Sequence, residues 1–329
     1  MPTSRSTHVL QLTVKPILSD EETKQLEGTL LPTDYFNRVI RKDADVYNEK
    51  GELILRFRKK VLPEKHMKVA YDNIIHHARQ YTSTRGIYGG PTDKKKLVQH
   101  NTKIRSNIMG YFDTISIIQK HNFREANMKT PCARQTSFTM NHPDKWKKII
   151  PYIKSIDAQY KHLFPTEHNK QRKEALRTPY VIANTAFSTL TTNLNVQSAV
   201  HTDSGDYPDG FGNLCVLTTG TYTGGYTGFP KYGIAVDVRM GDFLGMNVHL
   251  YHANEPIIGK EGEYERLSIV SYLRKGFVSR CLKDKRVPSA KYFKLAAKKA
   301  NENKSRRHKR KKTHNHKSRK HHMRKSRKL

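Results

Sequence analysis

The chain has 329 residues, 36% of them hydrophobic, and a formal net charge of +32, which allows one large domain with appendages or two small domains and favours a polyanionic partner, most often nucleic acid. No stretch approaches a membrane span and the N-terminus lacks an apolar signal core, so the expected protein is soluble, with no membrane partner. Cys132, Cys215 and Cys281 are far apart and form no CxxC pair, which argues against a disulfide framework or a structural zinc site and for an intracellular, reducing compartment.

Residues 1–22 read as an extended lead-in, with an alternating strand at 9–14, and residues 21–40 have a more helical pattern. A turn at 48–52 precedes an alternating strand at 53–58, and 69–81 has helical spacing. A Gly-rich loop at 85–91 is followed by Lys94, Lys95 and Lys96. Residues 144–163 predict a helix whose apolar face is Trp146, Ile149, Ile150, Ile153 and Ile156.

After Pro179 the character changes. Short apolar or β-branched runs at 180–193, 199–201, 212–219, 233–238, 242–248 and 266–272 are separated by turns rich in Gly, Asp and Asn. Short strands at such spacing predict a sandwich or jelly roll. The expected fold class is therefore α+β with a mainly β core, a double-stranded β-helix (jelly roll, cupin-like) flanked by N-terminal helices. We expect one domain at 23–290, with its jelly-roll core at about 130–280. A short helical stretch from Lys291 leads into a basic tail, 291–329, with too little apolar content to fold alone and an expectation of disorder. Its last 26 residues hold fourteen Lys or Arg, five His and no carboxylate, yet the other 303 residues still carry +18.

The chemistry sits in the β-rich half. His201 and Asp203 follow a predicted strand, where residues i and i+2 share a face. A second histidine about fifty residues on completes two imidazoles and a carboxylate. That set can hold one face of a ferrous ion and leave the opposite positions open for a co-substrate and dioxygen. His249 and His252 compete for the place and cannot both face a metal along one regular strand. His252 is preferred because it leaves a strand into the loop 253–257, while His249 reads as a core or supporting residue. Arg266, fourteen residues past His252, suits the distal carboxylate of 2-oxoglutarate, which takes a planar bidentate donor.

The run His252-Ala253-Asn254-Glu255-Pro256 and the later Arg266-Leu267-Ser268 resemble the TET/J-binding-protein family of 2-oxoglutarate and Fe(II) dependent nucleobase dioxygenases. The likeness is concentrated in residues 180–275, with a looser echo at 132–138, and is nearer to viral and phage members, since no cysteine-rich zinc module is present. It implies His201, Asp203 and His252 as Fe(II) ligands and Arg266 with Ser268 as the 2-oxoglutarate clamp. It further implies hydroxylation of the 5-methyl group of a pyrimidine in DNA, thymine or 5-methylcytosine, on a flipped or single-stranded base, since a recessed iron does not reach a stacked one. Asp206 corresponds to a base-contacting position; a carboxylate there accepts either the thymine imino N–H or the 5-methylcytosine amine and does not choose between them. Capping of the turn near Gly205 and Gly210 is the plain alternative.

Arg56, Arg58, Lys59 and Lys60, interleaved with Phe57, read either as a phosphate path or as a solvated strand face. The tail adds salt-sensitive affinity for DNA and has the composition of a nuclear import signal. Two rival functions keep part of this reading: a 2-oxoglutarate-dependent prolyl or lysyl hydroxylase acting on protein, and a non-catalytic basic DNA-binding module.

Overall fold

The computed structural model describes residues 9–82 and 104–325, with side chains in the final helix described through His308. The loop expected at 85–91 and the lysines at 94–96 lie outside the described residues. In chain order the N-terminal half runs β1 (Leu10–Val14), α1 (Asp20–Gln25), β2 (Arg38–Ile40), β3 (Ala44–Asn48), β4 (Leu53–Arg58), α2 (Glu64–Ala78), β5 (Ser106–Phe112), α3 (Ile117–Glu125), β6 (Arg134–Gln135), α4 (Ser137–Asn141), α5 (Pro143–Leu163) and α6 (Pro165–Ala175). The C-terminal half adds β7 (Thr189–Leu194), β8 (Gly212–Thr219), β9 (Thr223–Gly224), β10 (Thr227–Phe229), β11 (Ile234–Val236), β12 (Phe243–Met246), β13 (Ala253–Asn254), β14 (Ile257–Ile258), β15 (Glu265–Tyr272), α7 (Lys275–Arg280) and α8 (Ala290–Lys325).

The strands form a jelly roll. A nine-stranded sheet has the order β1-β3-β4-β12-β8-β15-β7-β5-β6 and faces a four-stranded sheet, β13-β10-β11-β2. The period-two alternation of β8 and β15 divides their side chains between two layers. Leu214 and Val216 enter the core between the sheets, with Phe229, Ile234 and Val236 from the smaller one. Cys215, Leu217, Leu267 and Ile269 face the other way, onto helices α2 and α5. Helix α5 answers with Ile149, Tyr152, Ile153, Ile156, Tyr160 and Leu163, a stripe at helical spacing. Each such burial contributes roughly 1.5–3 kcal/mol. The opposite face of β15 therefore carries Arg266, Ser268, Val270 and Tyr272 towards the interior of the roll.

Several expectations change. The strand expected at 9–14 is present as β1, and its parallel pairing with β3 makes it the edge of the large sheet rather than part of a lead-in. The helix expected over 21–40 is only α1. Gly28 (φ 82°) and Asp34 (φ 59°) turn the chain out of it, and β2 then pairs in parallel with β11. Strands β2 and β4 complete the two sheets from outside the expected core at 130–280. Within 180–193 the strand starts only at Thr189, because Ala183 and Asn184 take positive φ.

The short helical stretch expected from Lys291 is the start of helix α8, which continues to Lys325 through the basic tail for which disorder was expected. Residues 290–329 contain no Gly or Pro, and Lys, Arg and Ala are good helix formers. Its root is packed: Tyr292, Phe293 and Ala296 meet Phe123 of α3, and Asn303 donates to the Glu125 carbonyl at 2.7 Å. Cys132 and Cys281, expected to be unpaired, form a disulfide with Cα atoms 5.5 Å apart across 149 residues of sequence. The sequence could not pair them because the fold alone brings α7 beside the segment before β6.

Candidate metal and co-substrate centre

The metal candidates are arranged by backbone pairing. His201 and His252 form an antiparallel bridge in which each N–H donates to the other's carbonyl, at 3.0 and 2.9 Å. Paired residues of this kind project their side chains to one side, and the ring centroids are 4.3 Å apart. Each Nδ1 meets a carbonyl two residues earlier, Ala199 at 2.7 Å for His201 and Leu250 at 2.9 Å for His252. A carbonyl only accepts, so Nδ1 carries the hydrogen and Nε2 of the neutral ring presents a lone pair. This is the orientation a metal-ligating histidine needs.

Asp203 completes the group. Its N–H donates to the Val248 carbonyl at 2.9 Å, and its carboxylate oxygens stand 3.7 Å from His201 Nε2 and 3.8 Å from His252 Nε2. One donor atom from each of the three lies within 4.8 Å of the others. Two tautomer-fixed imidazoles and one carboxylate fit a ferrous ion held on one face. His249 is directed elsewhere, with Nε2 3.2 Å from the Tyr207 carbonyl.

The triad opens on a cavity of about 260 Å³, walled by Asn193, Thr227, Asn254, Ser268, Tyr272 and Arg274 among others. Arg266 stands two residues from Ser268 on the same strand face and is only 2% exposed. Its side chain runs against Gly225, where a Cβ would come 3.1 Å from Nε, so that glycine makes room for the guanidinium. Burial of an arginine is costly without anionic or multiple carbonyl partners. Ser268 lines the cavity itself.

Asp206 also lines the cavity and is buried, its N–H donating to the Asp203 carbonyl at 3.1 Å. Burial first, then the charge of Asp203, pushes its carboxyl well above the usual carboxylate range, with Arg274 opposing. Arg56 and Arg58, offered as a phosphate path or a solvated face, are instead committed to Asp45, at 3.4 and 2.8 Å, while Phe57 is fully buried.

Sequence reasoning missed Asn193, Tyr272 and Arg274. Tyr272 and Arg274 continue the alternation begun by Arg266 and Ser268, which was a usable signal; Asn193 comes from a neighbouring strand and gave none.

The roll and its histidine–carboxylate cluster define an oxygenase domain, and residues 116–275 match the Tet_JBP model, the oxygenase domain of the 2OGFeDO superfamily. That segment belongs to this domain family. The thymine dioxygenase JBP1 of Trypanosoma brucei brucei is 31% identical over 261 residues, covering 78% of this chain and 27% of its own length. The bifunctional helicase and thymine dioxygenase JBP2 of Leishmania tarentolae is 34% identical over 172 residues, 52% of this chain and 15% of that protein. This chain thus spans about a quarter or less of the curated relatives it matches. Among solved structures, NgTET1 in complex with 5mC DNA has the same fold, with a TM-score of 0.50 at 15% identity, covering 80% of this chain and 93% of that one. Among the described residues no helix is long and apolar enough to cross a membrane.

Proposed function

We propose that this chain is an Fe(II)- and 2-oxoglutarate-dependent dioxygenase that hydroxylates the 5-methyl group of a pyrimidine, thymine or 5-methylcytosine, in DNA. The observation that carries the reading is the bridged His201–His252 pair. Both rings are turned by carbonyl bonds at Nδ1 so that Nε2 faces Asp203, beside a polar cavity. His201, Asp203 and His252 would hold the iron; Arg266 and Ser268 would hold the distal carboxylate of 2-oxoglutarate. When bound, iron with 2-oxoglutarate supplies the oxidation of an unactivated C–H bond: one oxygen atom of O₂ enters the hydroxymethyl product and the other enters succinate, with release of CO₂.

The protein's own side chains then have three tasks. The Nδ1 bonds keep both imidazoles from rotating. Buried Arg266 supplies a fixed positive charge where a dicarboxylate needs it. Asp206, at the cavity wall, offers an acceptor, and when protonated a donor, to the Watson–Crick edge of the base. The cavity is recessed, so the base must leave its stack or come from a single strand. The names of the relatives, thymine dioxygenases, support the pyrimidine-methyl substrate. The basic charge of the chain supports a DNA partner.

The test is nucleoside mass spectrometry of thymine-containing and 5-methylcytosine-containing DNA after incubation with the protein, Fe(II), ascorbate and 2-oxoglutarate. A gain of one oxygen on either base, absent with His201→Ala, is the expected result. Succinate release with neither base altered would refute the DNA substrate.

A further inference from the structure

We infer that Asp113 is a positioning residue that aims Arg274 at a ring carbonyl oxygen of the pyrimidine, an inference that rests on the substrate class proposed above. Arg274 is the one Lys or Arg among the described residues lining the cavity. It lies two residues beyond the end of β15, in step with the strand face that carries Ser268 and Tyr272. What fixes its direction comes from the far end of β5.

Asp113 is 3% exposed, and its two carboxylate oxygens are divided between two arginines. Oδ1 accepts from Arg274 Nε at 2.8 Å and Oδ2 accepts from Arg280 Nη2 at 3.0 Å. The Arg274 guanidinium carbon lies 4.7 Å from the centre of the Phe112 ring, and the Arg274 N–H donates to Ser188 Oγ at 3.1 Å. With Nε bound and one face against an aromatic ring, the guanidinium plane is set. Its terminal nitrogens lie against the loop that carries Asp203 and Asp206: a Cβ at Gly205 would stand 2.5 Å from Nη1 and 3.2 Å from Nη2. A side chain at Gly276 would overlap the Asp113 carboxylate, so two glycines leave room for this ion pair.

A guanidinium only donates, so its partner on the substrate is an acceptor. Because Arg274 lines the recessed cavity beside Asp203 and Asp206, with part of its charge offset by the Asp113 carboxylate it shares with Arg280, it suits a neutral carbonyl better than a phosphate. Thymine and 5-methylcytosine both keep a carbonyl at C2, while Asp206 addresses the thymine imino N–H or the 5-methylcytosine amine. A hydrogen bond to a charged donor supports a preference of about tenfold.

The test is fluorescence anisotropy with short single-stranded oligonucleotides carrying one thymine, one 5-methylcytosine or an abasic site at the same position, a measurement that needs no turnover. The wild type is expected to bind the base-containing strands about tenfold more tightly than the abasic one. Asp113→Asn and Arg274→Gln should each bring that ratio to near unity with the abasic Kd unchanged. Arg280→Gln, which leaves the Arg274 bond in place, should keep the ratio. The inference is overturned if the wild type shows no base preference, or if Arg274→Gln keeps it. Parallel loss on the abasic strand, meaning packing or a phosphate contact, overturns it too, as does collapse in Arg280→Gln. An Asp113→Asn variant that folds and keeps the ratio overturns it as well; should Asp113→Asn not fold, Asp113→Glu, which keeps the charge but displaces the carboxylate, takes its place, with the same loss of ratio expected. Succinate formation by the wild type on the same strands reports separately on the dioxygenase reading.

Discussion

Replacing Asp203 by alanine separates a metal ligand from a structural carboxylate. The Asp203 side chain stands 3.7 and 3.8 Å from two histidine Nε2 atoms and faces Asp206, whose carboxyl its charge raises. Removing it relieves that repulsion, so the metal-free variant is expected to melt at the same temperature as the wild type or slightly higher. Metal behaves oppositely. An ion present at 100 times its Kd stabilises the native state by about 2.7 kcal/mol. With 329 residues and roughly 2.1 cal/mol/K of unfolding entropy per residue, the entropy change is about 0.7 kcal/mol/K, which puts the rise in Tm near 4 °C. Differential scanning fluorimetry under anaerobic Fe(II), and in parallel Mn(II), should give this rise for the wild type and none for Asp203→Ala. A variant that keeps the rise, or that loses several degrees without metal, would refute the assignment of Asp203 as a ligand.

Other outcomes follow from the same geometry. Arg266→Lys keeps the charge but loses the planar fork, so KM for 2-oxoglutarate should rise about tenfold or more, read from initial rates of succinate formation; an unchanged KM would remove Arg266 from the co-substrate site. Asp206 has its folded-state value raised above the ordinary 3.8, so the native state binds its proton more tightly than the unfolded chain does. Its contribution to stability therefore falls as pH rises from the unfolded value through the raised one. Metal-free Asp206→Asn should lose that slope and melt roughly 1–3 °C higher at pH 7 than the wild type, while a slope identical to the wild type's would count against the buried carboxyl as its source. Reduction of Cys132–Cys281 should destabilise the fold by about 2–4 kcal/mol in urea titrations, and Cys132→Ser should match the reduced wild type; no difference between oxidised and reduced protein would mean the bridge does not form in solution.

The sequence alone determined whatever depends on local spacing. The period-two runs at 212–219 and 266–272 and the helical stripe from Ile149 to Ile156 became β8, β15 and α5, because alternation and helical spacing are properties of a single segment meeting a core. The grouping of His201, Asp203 and His252 has a related local basis, since i and i+2 on a strand share a face, whereas Ser268 beside Arg266 was marked only by the family resemblance. Whatever depends on which distant segments meet was decided by the tertiary structure. Nothing near Cys132 indicates Cys281, nothing near Asp113 indicates Arg274, and the strands at 10–58 carry no mark of the sheets they join. The helical stretch expected from Lys291 is the root of α8, and the helix runs on to Lys325 because propensity suffices once Tyr292, Phe293 and Ala296 anchor its first turns on Phe123. Pairing across more than a hundred residues is set by the packing of layers, and it is this packing that turns the two histidines, Asp203 and Asp206 into one cavity.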